Sequence, residues 1–257
     1  MCLIAWNWQP GSATPLLLIG NRDEFYARPA QALHRWPDLP ILAGRDTQAG
    51  GTWLGVSQSG GGRLAALTNY RSTAPTRNDA PSRGELVTNF LRSPQDAATY
   101  LLALQKHADS YNPFNLLVYD GHTLLGLESR DATIVIFPPG IGAVSNADFN
   151  TPWPKLRQLT AGLATGVACD ETDDTHLWPL LQTRTVAQDA QLPHTGLPLE
   201  LERALSAAFI ATPHYGTRAC SVVRVSKQGV RISEQRFGVE GALGSTALEA
   251  RLGIGST

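Results

Sequence analysis

Cys2 carries the strongest chemical implication in the chain, because it follows the initiator methionine. A methionine before a small side chain is normally clipped, which would leave a cysteine holding both a thiol and a free α-amine. A thiol of pKa ~8.5 is partly ionised near neutrality, and an amine of pKa ~8 can take its proton directly or through a water. Cys2 also reads as a small apolar side chain in a buried strand, a common fate of free cysteine. Asn21-Arg22-Asp23-Glu24 closes the second strand expected from the sequence, and a regular hairpin would return it toward the chain start. An arginine there would lower a thiol pKa, and a carboxylate would orient an ammonium; a local surface ion pair is the other reading. Asn69 and Asn146 end later strands, where an amide can donate to a developing oxyanion or form a turn. Arg218 enters a late strand and suits a substrate carboxylate or an exposed edge, with His214 just before it.

Other chemistries find little support. Gly60-Gly61-Gly62 lacks a following G-K-[ST] and lies between two strands, so it reads as a hairpin turn rather than a phosphate loop. The six histidines show no H-x-x-x-H or H-E-x-x-H spacing, and the three cysteines form no C-x-x-C pair, so no metal site is expected and a reducing compartment is the simpler setting. With 21 basic and 22 acidic residues the net charge is −1, which gives no field to gather nucleic acid. The apolar run Leu16 to Ile19 is far short of the ~18 residues that cross a bilayer. A cytoplasmic protein with no transmembrane segment and no nucleic-acid partner is expected.

The elements that must position these residues alternate in blocks. Strands are expected at Cys2–Trp8, Leu16–Asp23, Gly51–Ser57 and Arg63–Asn69, followed by a polar surface loop to Ser82 that could act as a lid. Ser82-Arg83-Gly84-Glu85 matches a capping box and Ser93-Pro94 a second helix start, giving helices near 84–91 and 94–107. A hairpin at Asn115–Asp120 and Thr123–Ser129, strands at Ile134–Phe137 and Gly142–Asn146, and a helix over about 152–164 come next. Helical segments near 174–183 and 198–209 precede strands Ala219–Val225 and Val230–Phe237. This order predicts an α+β fold with antiparallel sheets, two stacked sheets flanked by helices, in one domain over residues 1–257.

Met1-Cys2, Asn21-Arg22-Asp23-Glu24-Phe25-Tyr26-Ala27-Arg28-Pro29, Gly50-Gly51-Thr52-Trp53-Leu54-Gly55, Ala65 to Arg71, Arg83-Gly84-Glu85-Leu86-Val87 and Tyr215-Gly216-Thr217-Arg218 together closely resemble the NRDE family, also called the transport and Golgi organization protein 2 family. Tyr111-Asn112, Asn115-Leu116-Leu117, Ser145-Asn146-Ala147 and Thr151-Pro152-Trp153-Pro154-Lys155 continue the match in order, to about Phe237. The resemblance implies a four-layer αββα sandwich like the N-terminal nucleophile hydrolases, among them choloylglycine hydrolases and penicillin acylases. It places Cys2 as nucleophile, Asp23 at the α-amine, Asn69 and Asn146 as oxyanion and positioning amides, and Arg218 as the late active-site arginine. Arg22, Tyr70 and His214 are the expected substrate-binding residues. The related hydrolases carry G-R-N-x-D at the second strand, whereas here the arginine directly precedes Asp23, so Arg22 need not play their arginine's part.

Family members are linked to haem trafficking, to lipid and acyl-coenzyme A homeostasis and to Golgi organisation, and fold alone does not choose among these. The expected function is a cysteine amidohydrolase or acyltransferase for a small, partly apolar substrate, needing no cofactor for hydrolysis. The alternative is a non-catalytic carrier that takes haem or an acyl lipid in the same pocket.

Overall fold

The computed structural model describes residues 2–252; the expected removal of Met1 therefore lies outside the described residues. β1 (Cys2–Trp8) and β2 (Leu16–Phe25) form the expected hairpin, with Cys2 opposite Arg22. β3 (Ala30–Arg35), β4 (Ile41–Asp46), β5 (Leu54–Ser57) and β6 (Arg63–Asn69) follow, then α1 (Gly84–Arg92) and α2 (Ala97–Gln105). β7 (Phe114–Tyr119), β8 (Leu124–Glu128), β9 (Thr133–Ile136) and β10 (Gly140–Val144) lead to α3 (Pro154–Ala168), α4 (Asp174–Leu181) and α5 (Leu199–Ala204). β11 (Tyr215–Val225), β12 (Gly229–Gly238) and β13 (Gly241–Arg251) complete the order.

The strands make two antiparallel sheets, one in the order β10-β1-β2-β11-β12-β13 and the other β3-β4-β5-β6-β7-β8-β9. Alternation of side chains sorts the apolar residues into three layers. Ile4, Trp6, Leu16, Leu18, Leu54, Leu117 and Ile232 pack between the sheets. Leu3, Ala5, Leu17 and Ile19 turn the opposite way, onto Leu156, Leu159 and Leu163 of α3 and Leu177 and Leu181 of α4. Ala65, Leu67, Leu116 and Val118 of the second sheet meet Leu86, Val87, Phe90 and Leu101 of α1 and α2. The expected αββα sandwich follows, since each helix pair has an apolar stripe and each sheet two apolar faces. Each fully buried leucine or isoleucine contributes roughly 1.5–3 kcal/mol.

Some local expectations are corrected. Ser82 is not the cap of α1: Arg83 holds that position without a side-chain bond, and Glu85 instead accepts from the Tyr111 hydroxyl at 2.6 Å. The second helix starts at Ala97 rather than Pro94, because Asp96 accepts from the Thr99 amide at 2.7 Å and is the better cap. Three strands were not anticipated, β3, β4 and the edge strand β13. Ser59–Gly61 forms a short 3-10 turn between β5 and β6, as a hairpin connection rather than a phosphate loop.

Two glycines are fixed by close approach. A Cβ on Gly142 would run into the Trp6 ring, and one on Gly51 would lie only 2.5 Å from the backbone of Gly84. The second contact brings Gly50-Gly51-Thr52-Trp53 directly against Arg83-Gly84-Glu85. Thr52 N–H also donates to the Gly84 carbonyl at 3.3 Å, so the loop before β5 and the start of α1 lock backbone to backbone.

Candidate active site

Along the face of β2 that looks into the sandwich, Leu16 and Leu18 are followed by Gly20, Arg22 and Glu24. On the same face of β12, Val230 and Ile232 give way to Glu234 and Arg236. The inter-sheet space therefore turns polar at one end and opens there as a cavity of about 450 Å³. Cys2, Arg22, Asp23, Asn69 and Arg218 all line it, together with Trp53, Asp46 and Arg83. Five residues separated by more than two hundred positions are thus brought to one recess by the β1–β2–β11 pairing and the end of β6.

Cys2 is buried, and burial pushes its thiol up to about 11, with Asp23 and Glu24 adding to the rise and Arg22 opposing it. In this setting the sulfur is held as a thiol and needs a base to act as a nucleophile. Asp23 sits behind it on the helix-facing side of β2. Its Oδ1 accepts from the Thr217 hydroxyl at 2.7 Å and its carbonyl from the Tyr215 hydroxyl at 3.1 Å. Burial raises the Asp23 carboxyl, while Lys155 and the Thr217 bond act against that rise.

Arg218 lies in the β-bulge of β11, where pairing passes from Thr217–Asp23 to Ala219–Arg22. The bulge turns its guanidinium along the strand end, and Nη1 donates to the carbonyls of Phe25, Tyr26 and Arg28 at 2.9, 3.1 and 3.0 Å. Arg218 thus shapes the cavity wall by holding the chain after β2. Arg22 lies 3.5 Å from Asp46 and 3.7 Å from Glu24, and Arg28 is 2.5 Å from Asp46.

The two asparagines divide. Asn69 lines the cavity, whereas Asn146 is fully buried and its Nδ2 donates to the Asn69 carbonyl at 2.8 Å. The Arg71 amide donates to the Asn146 carbonyl at 2.7 Å, so Asn146 ties the end of β6 to the end of β10 and positions Asn69 from behind. Tyr70 and His214 do not line the cavity. The Tyr70 hydroxyl accepts from Arg130 at 2.8 Å, and His214 is exposed, with its carbonyl accepting from the Tyr26 amide. The loop expected as a lid is a latched wall: Arg77 and Asn112 exchange two bonds of 2.9 Å, and Arg77 Nη2 donates to the carbonyls of Asp109 and Tyr111 at 2.8 Å.

Sequence reasoning missed a buried charge cluster behind the nucleophile. Lys155, at the start of α3, is buried; among the described residues its Nζ has no hydrogen-bond partner. Burial lowers its amine to about 8, against the pull of the Asp23 charge. Beside it Arg71 is buried, pairs with Glu202 at 2.5 Å and stacks 4.6 Å over Trp153. The signal was present in Trp153-Pro154-Lys155 and Tyr70-Arg71, but a lysine at a helix start ordinarily reads as solvated. Only the packing of α3 on β1 shows it inside. Arg83 and Arg236 were missed as cavity residues for a similar reason, the first being read as part of a helix cap. Among the described residues no group of three metal-ligating side chains gathers, and no helix is long and apolar enough to cross a membrane.

Comparison with known proteins matches residues 1–238 to the family described as Transport and Golgi organisation 2. A Bos taurus Transport and Golgi organization protein 2 homolog is 35% identical over 253 residues, covering 89% of this chain and 90% of that protein. The Homo sapiens homolog is 34% identical over 255 residues with the same coverage. The Drosophila melanogaster protein is 27% identical over 257 residues, 89% of each chain. Among solved structures, a Caenorhabditis elegans N-acylethanolamine-hydrolyzing acid amidase ortholog aligns at 12% identity with a TM-score of 0.48, over 79% of this chain and 96% of that one.

Proposed function

The chain belongs to the Transport and Golgi organisation 2 family, and on that premise we propose that it is a cysteine amidohydrolase or acyltransferase acting on a small, partly apolar acyl compound. The observation that carries this reading is the position of Cys2: the second residue of the chain closes the inner end of a polar cavity, opposite Arg22 and in front of Asp23. Once Met1 is removed, the α-amine of Cys2 takes the thiol proton and the thiolate attacks the acyl carbon, forming a C–S bond. The Asn69 amide faces the oxyanion, with Asn146 holding Asn69 in place. The leaving amine or thiol departs with the proton. Water, or an acceptor nucleophile, then cleaves the thioester and restores the thiol.

One observation favours a second reading, a carrier without turnover. A thiol raised to about 11 by burial is a weak nucleophile until its environment changes. For haem, the cavity offers Cys2 as a sulfur ligand and, among its lining residues, no histidine. Intact mass settles whether Cys2 is the first residue of the mature protein. Wild type and Cys2→Ser are then titrated with haem and with a panel of acyl amides and thioesters. Acyl release by wild type that falls at least 100-fold in Cys2→Ser supports the hydrolase. Tight haem binding by wild type, with no acyl release from any compound, replaces it with the carrier.

A further inference from the structure

The cavity is lined by seven arginines against four carboxylates, Asp23, Glu24, Asp46 and Glu234, in a chain whose net charge is −1. Arg22 and Arg28 are matched by Asp46 and Glu24. Arg45 donates to the Gly50 carbonyl at 3.0 Å, and Arg77 is held by the backbone bonds described above. Neither of those two has an ion-paired carboxylate among the described residues, and nor do the other three, Arg83, Arg218 and Arg236. Arg83 gives Nη1 to the Pro113 carbonyl at 3.0 Å, Arg218 gives Nη1 to three carbonyls, and the Nε of Arg236 is buried with no hydrogen-bond partner.

Guanidiniums brought together in a recess repel one another and lose hydration, a cost that a bound anion offsets. Their planar forks match carboxylate and phosphate oxygens two at a time, which a lysine cannot do. The walls of a recess also concentrate the local field, so the cavity is positive although the whole molecule is not. Beside these donors lie Trp53, Phe237 and Leu243, the last 56% exposed, which provide an apolar surface for the rest of a ligand.

We propose that this cavity binds an organic anion, with Arg83, Arg218 and Arg236 holding a carboxylate or phosphate group while the acyl carbon of the same molecule lies against Cys2. The inference names the substrate class of the reading above and rests on it in taking the Cys2 cavity as the ligand site. Arg83 is the residue that the Gly51–Gly84 backbone contact places there, which gives that contact a functional reason.

The test is calorimetric titration of octyl phosphate, octanoate and octanol into wild type, Arg83→Gln, Arg236→Gln and Arg92→Gln. Arg92 is exposed at the end of α1 and does not line the cavity. Arg218 is left intact because it also holds residues 25–28. At least one octyl anion should bind wild type tenfold or more tightly than octanol, and added salt should weaken it. Arg83→Gln and Arg236→Gln should each lose about tenfold, and Arg92→Gln should behave as wild type. A tenfold preference for octyl phosphate assigns a phosphate head; equal or better binding of octanoate assigns a carboxylate. Arg83→Lys should recover only part of the loss, because a point charge lacks the fork. Octanol binding as tightly as both anions, or a loss in Arg92→Gln equal to that in the cavity variants, overturns the proposal. Binding is read here without turnover, so anion binding with no acyl release removes the hydrolase alone, and acyl release without anion preference removes the anion site alone.

Discussion

The two ends of the inter-sheet space are built by the same strands on the same faces, yet one is packed with apolar side chains and the other lined by charged ones. At the apolar end Trp6 lies edge-on to Phe137 at 4.8 Å and to Phe149 at 6.1 Å, surrounded by Leu16, Leu18, Val223, Val225 and Val230. At the other end the inward positions are Cys2, Arg22, Glu24, Glu234 and Arg236. β2 passes from one regime to the other at Gly20, where a Cβ would meet the Leu3 carbonyl at 2.9 Å. A sandwich needs only one end of its core to be well packed to hold its sheets together, and the other end is then free to lose stability in exchange for chemistry.

The comparison is tested most severely at the apolar end. Trp6→Ala should destabilise by about 3–5 kcal/mol, through the cavity it leaves and its lost ring contacts. Denaturant unfolding measures that loss, and the remaining folded protein should keep its anion affinity. If affinity falls with stability, the two ends are not independent. The buried charges behind the charged end, between the sheet and the helices, should respond to charge imbalance rather than to volume. Arg71→Met leaves Glu202 buried without its partner and should cost about 3 kcal/mol or more. Arg71→Met combined with Glu202→Leu should recover much of it, as replacement of both members of a buried pair often does. A double variant no better than the single one would show that the pair acts through geometry, such as the Arg71 stack on Trp153.

A smaller effect is expected where the two ends meet the helices. Gly51→Ala drives a methyl into the Gly84 backbone and should cost about 1–3 kcal/mol. It should also weaken anion binding by shifting Arg83, whereas a purely local strain would leave binding unchanged.

Legibility follows the same division. The hairpin of β1 and β2 and the helix-then-sheet order could be read because buried strands show apolar runs and the helices repeat apolar residues every three or four positions. β3 and β13 could not. β3 buries only Leu33 well, and β13 is an edge strand whose first half, Gly241 to Ser245, is almost all outside, with inward positions only at Thr246, Leu248 and Ala250, too few and too weakly apolar to stand out. Of the site, Cys2, Arg22, Asp23, Asn69 and Arg218 were legible as polar residues at strand ends, which is where such strands stop being core. Tyr70 faces away because it is the chain neighbour of Asn69 and successive residues of an extended segment point to opposite sides, and His214 lies exposed before β11 begins. Lys155, Arg71 and Glu202 were illegible as a cluster, since their proximity depends on how α3 and α5 lie on the sheet.

The smallest effect isolates Lys155. Its amine falls from an ordinary 10.5 to about 8 in the folded protein, because burial penalises the ammonium. Below pH 8 both folded and unfolded chains carry this proton, and the cost of burying the charge is fully present. As pH rises above 8 the folded protein releases the proton first, while the unfolded chain keeps it until about 10.5. The unfolded state then binds more protons, and stability must rise with pH. Cys2 acts with the opposite sign: its thiol is raised from 9.0 to about 11, so the folded protein retains a proton that the unfolded chain loses and stability falls across that range. Cys220, raised by burial, acts likewise above pH 9. The window from pH 8 to 9 therefore belongs mainly to Lys155. Wild type should gain about 1 kcal/mol relative to Lys155→Met across it, by urea unfolding at each pH. Parallel curves for the two proteins would mean that Lys155 keeps its proton throughout, with the Asp23 carboxylate stabilising the ammonium more than burial opposes it. The charged end would then be a matched ion cluster, and the amine of Lys155 would not be open to receive a proton from the cavity.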